Sequence, residues 1–164
     1  FNALHYTRVL AEIAGIIYRR SGCYHVKKTA QKQYQKQGVQ AFFKPMLEAA
    51  IYQYNWGYLD GWEYDIDLRR IWLFMVWRVQ HHASFKELID EVETAFPVLL
   101  QSVSNQHPTP KELLSIMIEI RFIKRFLQYW GFVVMESKHD HILQTNVYTI
   151  EVQPLLTQTF DFLV

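Results

Sequence analysis

The sequence holds one cysteine, six glycines and five prolines in 164 residues. A single thiol closes no internal disulfide and builds no multi-cysteine metal site, so neither a disulfide scaffold nor a zinc ribbon is available. None of the glycines stands in G-x-G-x-x-G or P-loop spacing, so no nucleotide cofactor is implied, and no other cofactor is expected. Long apolar runs are missing too. The longest, Ile71 to Trp77, falls far short of the ~20 residues that a membrane span requires, and Arg69, Arg70 and Arg78 flank it. No membrane-spanning segment or membrane partner is expected. The chain opens on Phe1 without a basic, then apolar, then small-residue leader; Phe1 reads as a cut end, and the lone thiol fits a reducing cytoplasm.

Against these absences, half of the residues are apolar and 16% aromatic, enough for one sizeable core and too much for a disordered tail. The net charge is +1, but its distribution is uneven. Residues 1–50 carry eight Lys/Arg against two acids, 51–100 four against eight, and 101–164 five against six. A basic third within a neutral chain is either an electrostatic footprint for nucleic acid or a surface that complements acids of the same molecule or of a copy.

Helix starts are the clearest local signals. Ser84-Phe85-Lys86-Glu87 has the form of a capping box and predicts a helix over about 85–95, stopped before Pro97. Thr109-Pro110-Lys111-Glu112 repeats the device and opens a long helix to Trp130, ended by Gly131, with Arg121, Arg125 and Gln128 as its polar strip. Asp65 or Asp67 caps a helix to about His81 whose centre is apolar on every side, and which is therefore expected in the middle of the core. The Ser/Asn/Gln/Pro-rich stretch 98–108 and the aromatic stretch 55–64 read as ordered loops.

After Gly131 the pattern changes to Phe132–Glu136, a polar tip, then Ile142–Val152, which fits two short strands, with one more short helix at 155–162. A similar arrangement stands near the start. Leu10–Ile17 gives a helix end, a glycine and a strand; Tyr18–Gly22 gives a polar turn; Cys23–Lys28 gives a second strand, and Thr29 is placed to cap the next helix. Aligning Gly15 with Gly131 pairs Leu10 with Phe126 and Ile16 with Phe132. The expected class is α+β, mainly α and winged-helix-like. It comprises two modules with short β-hairpin wings, over 1–60 with the aromatic loop and 61–164, joined by a helical middle in one compact unit.

Three segments also carry a resemblance: Tyr52–Gly61, Leu10–Ile17 and Arg125–Val133. With them the chain resembles a group of uncharacterised bacterial proteins in which a winged-helix-like region follows a plasmid-ORF-type or SEC-C-type domain. The resemblance implies a fold and a bacterial origin and carries over no active-site residue.

Candidate chemistry follows. Arg19, Arg20, Lys27 and Lys28 on the first wing, with Lys32 and Lys36 on a Gln-rich helix, are placed to neutralise phosphates, and Tyr18 and Tyr24 to pack on sugars. Wing two nearly cancels its charge with Glu136, Lys138 and Asp140. Trp56, Tyr58 and Trp62 offer an interaction surface or else plug the core. His139-x-His141 lacks a nominated third ligand, so no metal site is expected. Asp60, Glu63, Asp65 and Asp67 cluster, but as caps and turn residues rather than as catalytic acids. Cys23 shares a strand face with His25 without a third orienting group. No catalytic residue is expected. The anticipated role is a protein-interaction, scaffold or dimerisation module, with DNA binding through the basic first wing as the alternative.

Overall fold

Asn2 opens the first helix: its side-chain oxygen accepts from the His5 N–H at 3.0 Å, and α1 runs Ala3–Ile13. It ends at Gly15, whose φ of 70° lies in the left-handed region. The Gly15 N–H donates to Glu12 O at 3.0 Å and the Ile16 N–H to Ala11 O at 2.9 Å, the two bonds of a Schellman closure. The chain then forms an antiparallel hairpin, β1 (Ile17–Arg20) with β2 (Cys23–Val26), in the register Ile17↔Val26 to Arg20↔Cys23. Ser21 and Gly22 alone form the turn, both with positive φ (50° and 79°), as a two-residue type I′ connection requires.

Helix α2 spans Lys28–Gln37, with Lys27 at its N-cap and no side-chain cap. Thr29 thus lies inside the first turn rather than capping it. The Lys27 N–H closes the hairpin on Ile16 O at 3.0 Å, which sets the strand-to-helix junction two residues earlier. A 3₁₀ turn, Gly38–Phe42, leads into α3 (Phe43–Tyr52). Helices α1 and α3 pack together through buried Tyr6, Leu10, Leu47 and Ile51, and Tyr6 meets Tyr54 edge-on at 4.8 Å.

The chain divides into two compact units, Phe1–Asn55 and Trp56–Val164, in a computed structural model that describes residues 2–62, 66–101, 108–140 and 145–162. The division falls five residues before the sequence boundary at 60, because the aromatic loop is tied into the second unit.

In the second unit a 3₁₀ turn, Leu68–Ile71, precedes α4 (Trp72–His82), and α5 (Phe85–Ala95) packs on α4. Helix α4 is not apolar-buried all round: Met75, Val76 and Val79 face the core, while Leu73 is 50% exposed. The Ser84 oxygen accepts from Glu87 N–H, but only this half of the expected box forms. The Ser84 N–H goes instead to His82 Nδ1 at 3.0 Å. At Thr109 the box is complete, with Glu112 N–H on the threonine oxygen and Thr109 N–H on the Glu112 carboxylate at 2.7 Å.

Helix α6 (Pro110–Met117) continues without a break into a π-helical segment, Ile118–Gln128, that carries buried Ile118, Phe122, Ile123, Phe126 and Leu127. Gly131 ends it as Gly15 ends α1: φ is 73°, Gly131 N–H donates to Gln128 O at 3.1 Å and Phe132 N–H to Leu127 O at 2.9 Å. Strands β3 (Val133–Asp140) and β4 (Thr145–Val152) pair antiparallel, Val133↔Val152, and α7 covers Pro154–Thr159. Gln153 N–H closes this hairpin on Phe132 O at 2.9 Å, as Lys27 closes the first on Ile16. The fold is α+β and mainly helical, with two separate two-stranded sheets. Among the described residues no helix is long and apolar enough to cross a membrane.

Candidate nucleic-acid interface

Residues 13–47 contain no Asp or Glu. The two carboxylates of the first unit, Glu12 and Glu48, stand one turn from Arg8 and Lys44 and pair with them at 3.9 and 4.0 Å. The unit's six other cations are Arg19, Arg20, Lys27, Lys28, Lys32 and Lys36; all are exposed, and none makes an ion pair among the described residues. The second unit differs. There Arg69 and Arg70 are held by Asp67, Arg78 by Glu91, Lys111 by Asp90 and Glu93, and Lys124 by Glu119.

The six cations do not form one continuous face. Side chains alternate along a strand, and the register Arg19↔Tyr24 and Arg20↔Cys23 places the arginines on opposite faces of the hairpin. Arg19 shares its face with Ile17, Tyr24 and Val26. Tyr24 on that face accepts a hydrogen bond from Arg8 of α1, whose guanidinium also lies 5.0 Å from the Tyr24 ring centre. Arg20 shares the other face with Tyr18, His25 and Cys23. Lys27 is drawn to the C-terminal end of α1, its ammonium so close to Gly15 that a Cβ added there would meet it at 3.1 Å.

Helix α2 does gather cations. Lys28, Lys32 and Lys36 recur every four residues and so form one stripe, ~6 Å apart along the axis. Ala30, the buried residue of α2, lies on the opposite side, where Ile16, Val26, Ala30, Tyr34 and Phe42 line a cavity of about 490 Å³. The lysines therefore point away from the surface through which α2 packs.

The aromatic loop is a plug. Trp56 is buried and stacks on Phe126 at 5.0 Å and Phe122 at 6.1 Å, so it serves the core rather than an interaction surface. Tyr58 is exposed and Trp62 half-buried. Two arginines of the π segment hold the loop from beneath: Arg125 donates to the carbonyls of Tyr58 and Leu59, and Arg121 donates to Asp60 at 2.5 Å and to Ile66 O at 2.8 Å. Arg121 is thus no part of a polar strip. Its side chain is 4% exposed and that of Asp60 1%. The sequence signal was present: Arg121 stands four residues after Met117 and seven after Leu114, on the buried stripe of the helix.

Of the four clustered carboxylates, Asp60 is spent on Arg121 and on the Trp62 N–H, and Asp67 on the Arg69 N–H and the Arg69 and Arg70 guanidiniums; Glu63 and Asp65 lie outside the described residues. The side chains of His139, Asp140 and His141 lie outside them as well, and among the described residues no three His, Cys, Asp or Glu side chains group to hold a metal ion. Cys23 is exposed. Asp90, Glu91 and Glu93 bind cations of their own unit. Glu91 receives Arg78 Nε and Nη2 and lies 3.0 Å from His82 Nε2; the Arg78 hydrogen bonds chiefly, with help from His82, outweigh burial and hold its carboxyl down at about 2. Comparison with known proteins gives no matching family model, no matching curated protein and no matching solved structure.

Proposed function

We propose that the first unit binds nucleic acid through its phosphates, and that the chain is a binding protein rather than an enzyme. The observation that carries this is the set of six exposed cations without carboxylate partners in a stretch free of acids, with Lys28, Lys32 and Lys36 in one stripe. Counterion release rewards cations that no internal carboxylate already neutralises. We read each helix, left-handed glycine and hairpin as a winged-helix-like module, in keeping with the resemblance to bacterial proteins. The first wing is then the basic one; on the second, exposed Glu136 and Lys138 offset each other. The test is fluorescence anisotropy of a labelled random-sequence duplex through a salt titration. Binding that weakens steeply with salt, and that falls in an Arg19→Ala/Arg20→Ala variant and further in a Lys28→Ala/Lys32→Ala/Lys36→Ala variant, supports the proposal; no binding at low salt of either this duplex or its labelled single strand overturns it.

A protein-contact role for the second unit has its own observation. On α4, Leu73 is exposed, and Phe74 and Trp77 line a mostly apolar surface groove of about 410 Å³ with Thr94 and Ala95 of α5, edged by Arg78, Asp90 and Glu91. Self-association through this surface predicts concentration-dependent sedimentation that Trp77→Ala abolishes; a monomer at every concentration excludes it.

A further inference from the structure

We infer that the Tyr18/His25 face of the hairpin is a base-stacking platform, so that the nucleic acid bound by the first unit is single-stranded; this rests on the phosphate-binding reading above. The register Tyr18↔His25 puts these two rings side by side across the strands, and they lie nearly parallel, with centres 5.4 Å apart and planes 28° from each other. Both are exposed, and Arg20 and Cys23 complete the face. The opposite face turns Tyr24 to α1, whereas none of these four side chains makes a hydrogen bond or ion pair with another element among the described residues. An open pair of aromatic rings beside an unpartnered guanidinium suits an unstacked base and its phosphate, because every base has a π-face and every linkage a negative charge.

Charge and shape argue against duplex as the preferred form. A winged-helix reader enters the major groove with the helix ahead of its wing. That helix, α1, presents Ala3, Leu4 and Thr7 to solvent, and its one arginine, Arg8, is engaged by Tyr24 and Glu12. No lysine and no unengaged arginine is left on α1 to read a groove. The lysine stripe on α2 holds phosphates of either form, so a preference between the forms belongs to the rings.

The experiment measures anisotropy of a labelled mixed-sequence single strand, and of the same strand annealed to its complement, at one salt concentration. The protein is compared with Tyr18→Ala/His25→Ala, Tyr18→Phe and Lys28→Ala/Lys32→Ala/Lys36→Ala variants, each checked for native circular dichroism. The single strand is expected to bind more tightly than the duplex. Removing the rings should weaken single-strand binding roughly fivefold or more per stacked base. Duplex binding should stay within about twofold, Tyr18→Phe should keep the preference, and the lysine variant should weaken both probes. Equal losses on both probes, or unchanged single-strand affinity without the rings, overturn the platform and leave the phosphate reading standing. Binding of neither probe by the parent protein overturns both.

Discussion

Removing the charge of Asp60 tests how the aromatic loop is held. Its carboxylate and the Arg121 guanidinium have side-chain exposures of 1% and 4%, so water screens neither. Asp60→Asn keeps an oxygen for the Trp62 N–H but leaves Arg121 buried without its counter-charge, and Arg121 then retains only the Ile66 carbonyl. Stranding one member of such a pair costs about 3–5 kcal/mol, a large part of the ~5–15 kcal/mol that stabilises a typical domain. Arg121→Met strands the carboxylate instead and should cost a similar amount. The double variant places two uncharged groups together and should recover most of the loss, because a buried pair gains little over a well-packed neutral one. Urea unfolding followed by tryptophan fluorescence is the assay, since Trp56 stacks on Phe122 and Phe126 beside the pair. Each single variant should also lower Tm by about 10 °C or more. Single variants within about 0.5 kcal/mol of the parent, or a double variant that adds the two losses, would show that the two charges do not depend on each other.

Two further outcomes are expected. Glu91 is held at about 2 by Arg78 and His82, well below the 4.5 of an unperturbed glutamate, so its contribution to stability is present above about 4.5 and is lost as the pH falls through about 2. Urea midpoints measured against pH should therefore fall less steeply across that acid window in Glu91→Gln than in the parent; identical slopes would show that the Arg78 pair contributes nothing. Gly15→Ala and Gly131→Ala both force a side chain to φ near 70°, at a cost of about 1–2 kcal/mol each. The two losses should be similar, because the one atom near a Gly15 Cβ is the ammonium end of the exposed Lys27 side chain, which can swing aside, and nothing lies within 4 Å at Gly131; a loss at Gly15 larger by about 1 kcal/mol or more would contradict this.

Elements with local punctuation were legible in the sequence. Ser84 and Pro97 bracket α5 as read, Thr109 and Glu112 start α6, and Gly15 and Gly131 stop their helices with the same pair of hydrogen bonds. Helix α3 has no such mark: it follows directly from a 3₁₀ turn, and no side chain caps it at Phe42. Ser84 gave only half its box because His82 competes for the Ser84 N–H, a contact that depends on where α4 ends. The cations of the first unit were legible for a local reason. No acid stands between Glu12 and Glu48, so no neighbour in the sequence could neutralise them. That they fall on separate surfaces follows from hairpin register and helix period, which composition does not convey. The Asp60–Arg121 pair spans 61 residues of sequence and is a product of the tertiary fold; an arginine on an otherwise apolar stripe was its only trace.

If the lysine stripe of α2 contacts phosphates, binding releases counterions in proportion, and the salt dependence of affinity counts them. The slope of log K against log salt for a labelled duplex is measured on the whole chain and on the Lys28→Ala/Lys32→Ala/Lys36→Ala variant. Each phosphate contact contributes about −0.9 to that slope, so removal of three should reduce its magnitude by about 2.7. A slope unchanged by loss of the stripe would show that these lysines do not contact phosphates.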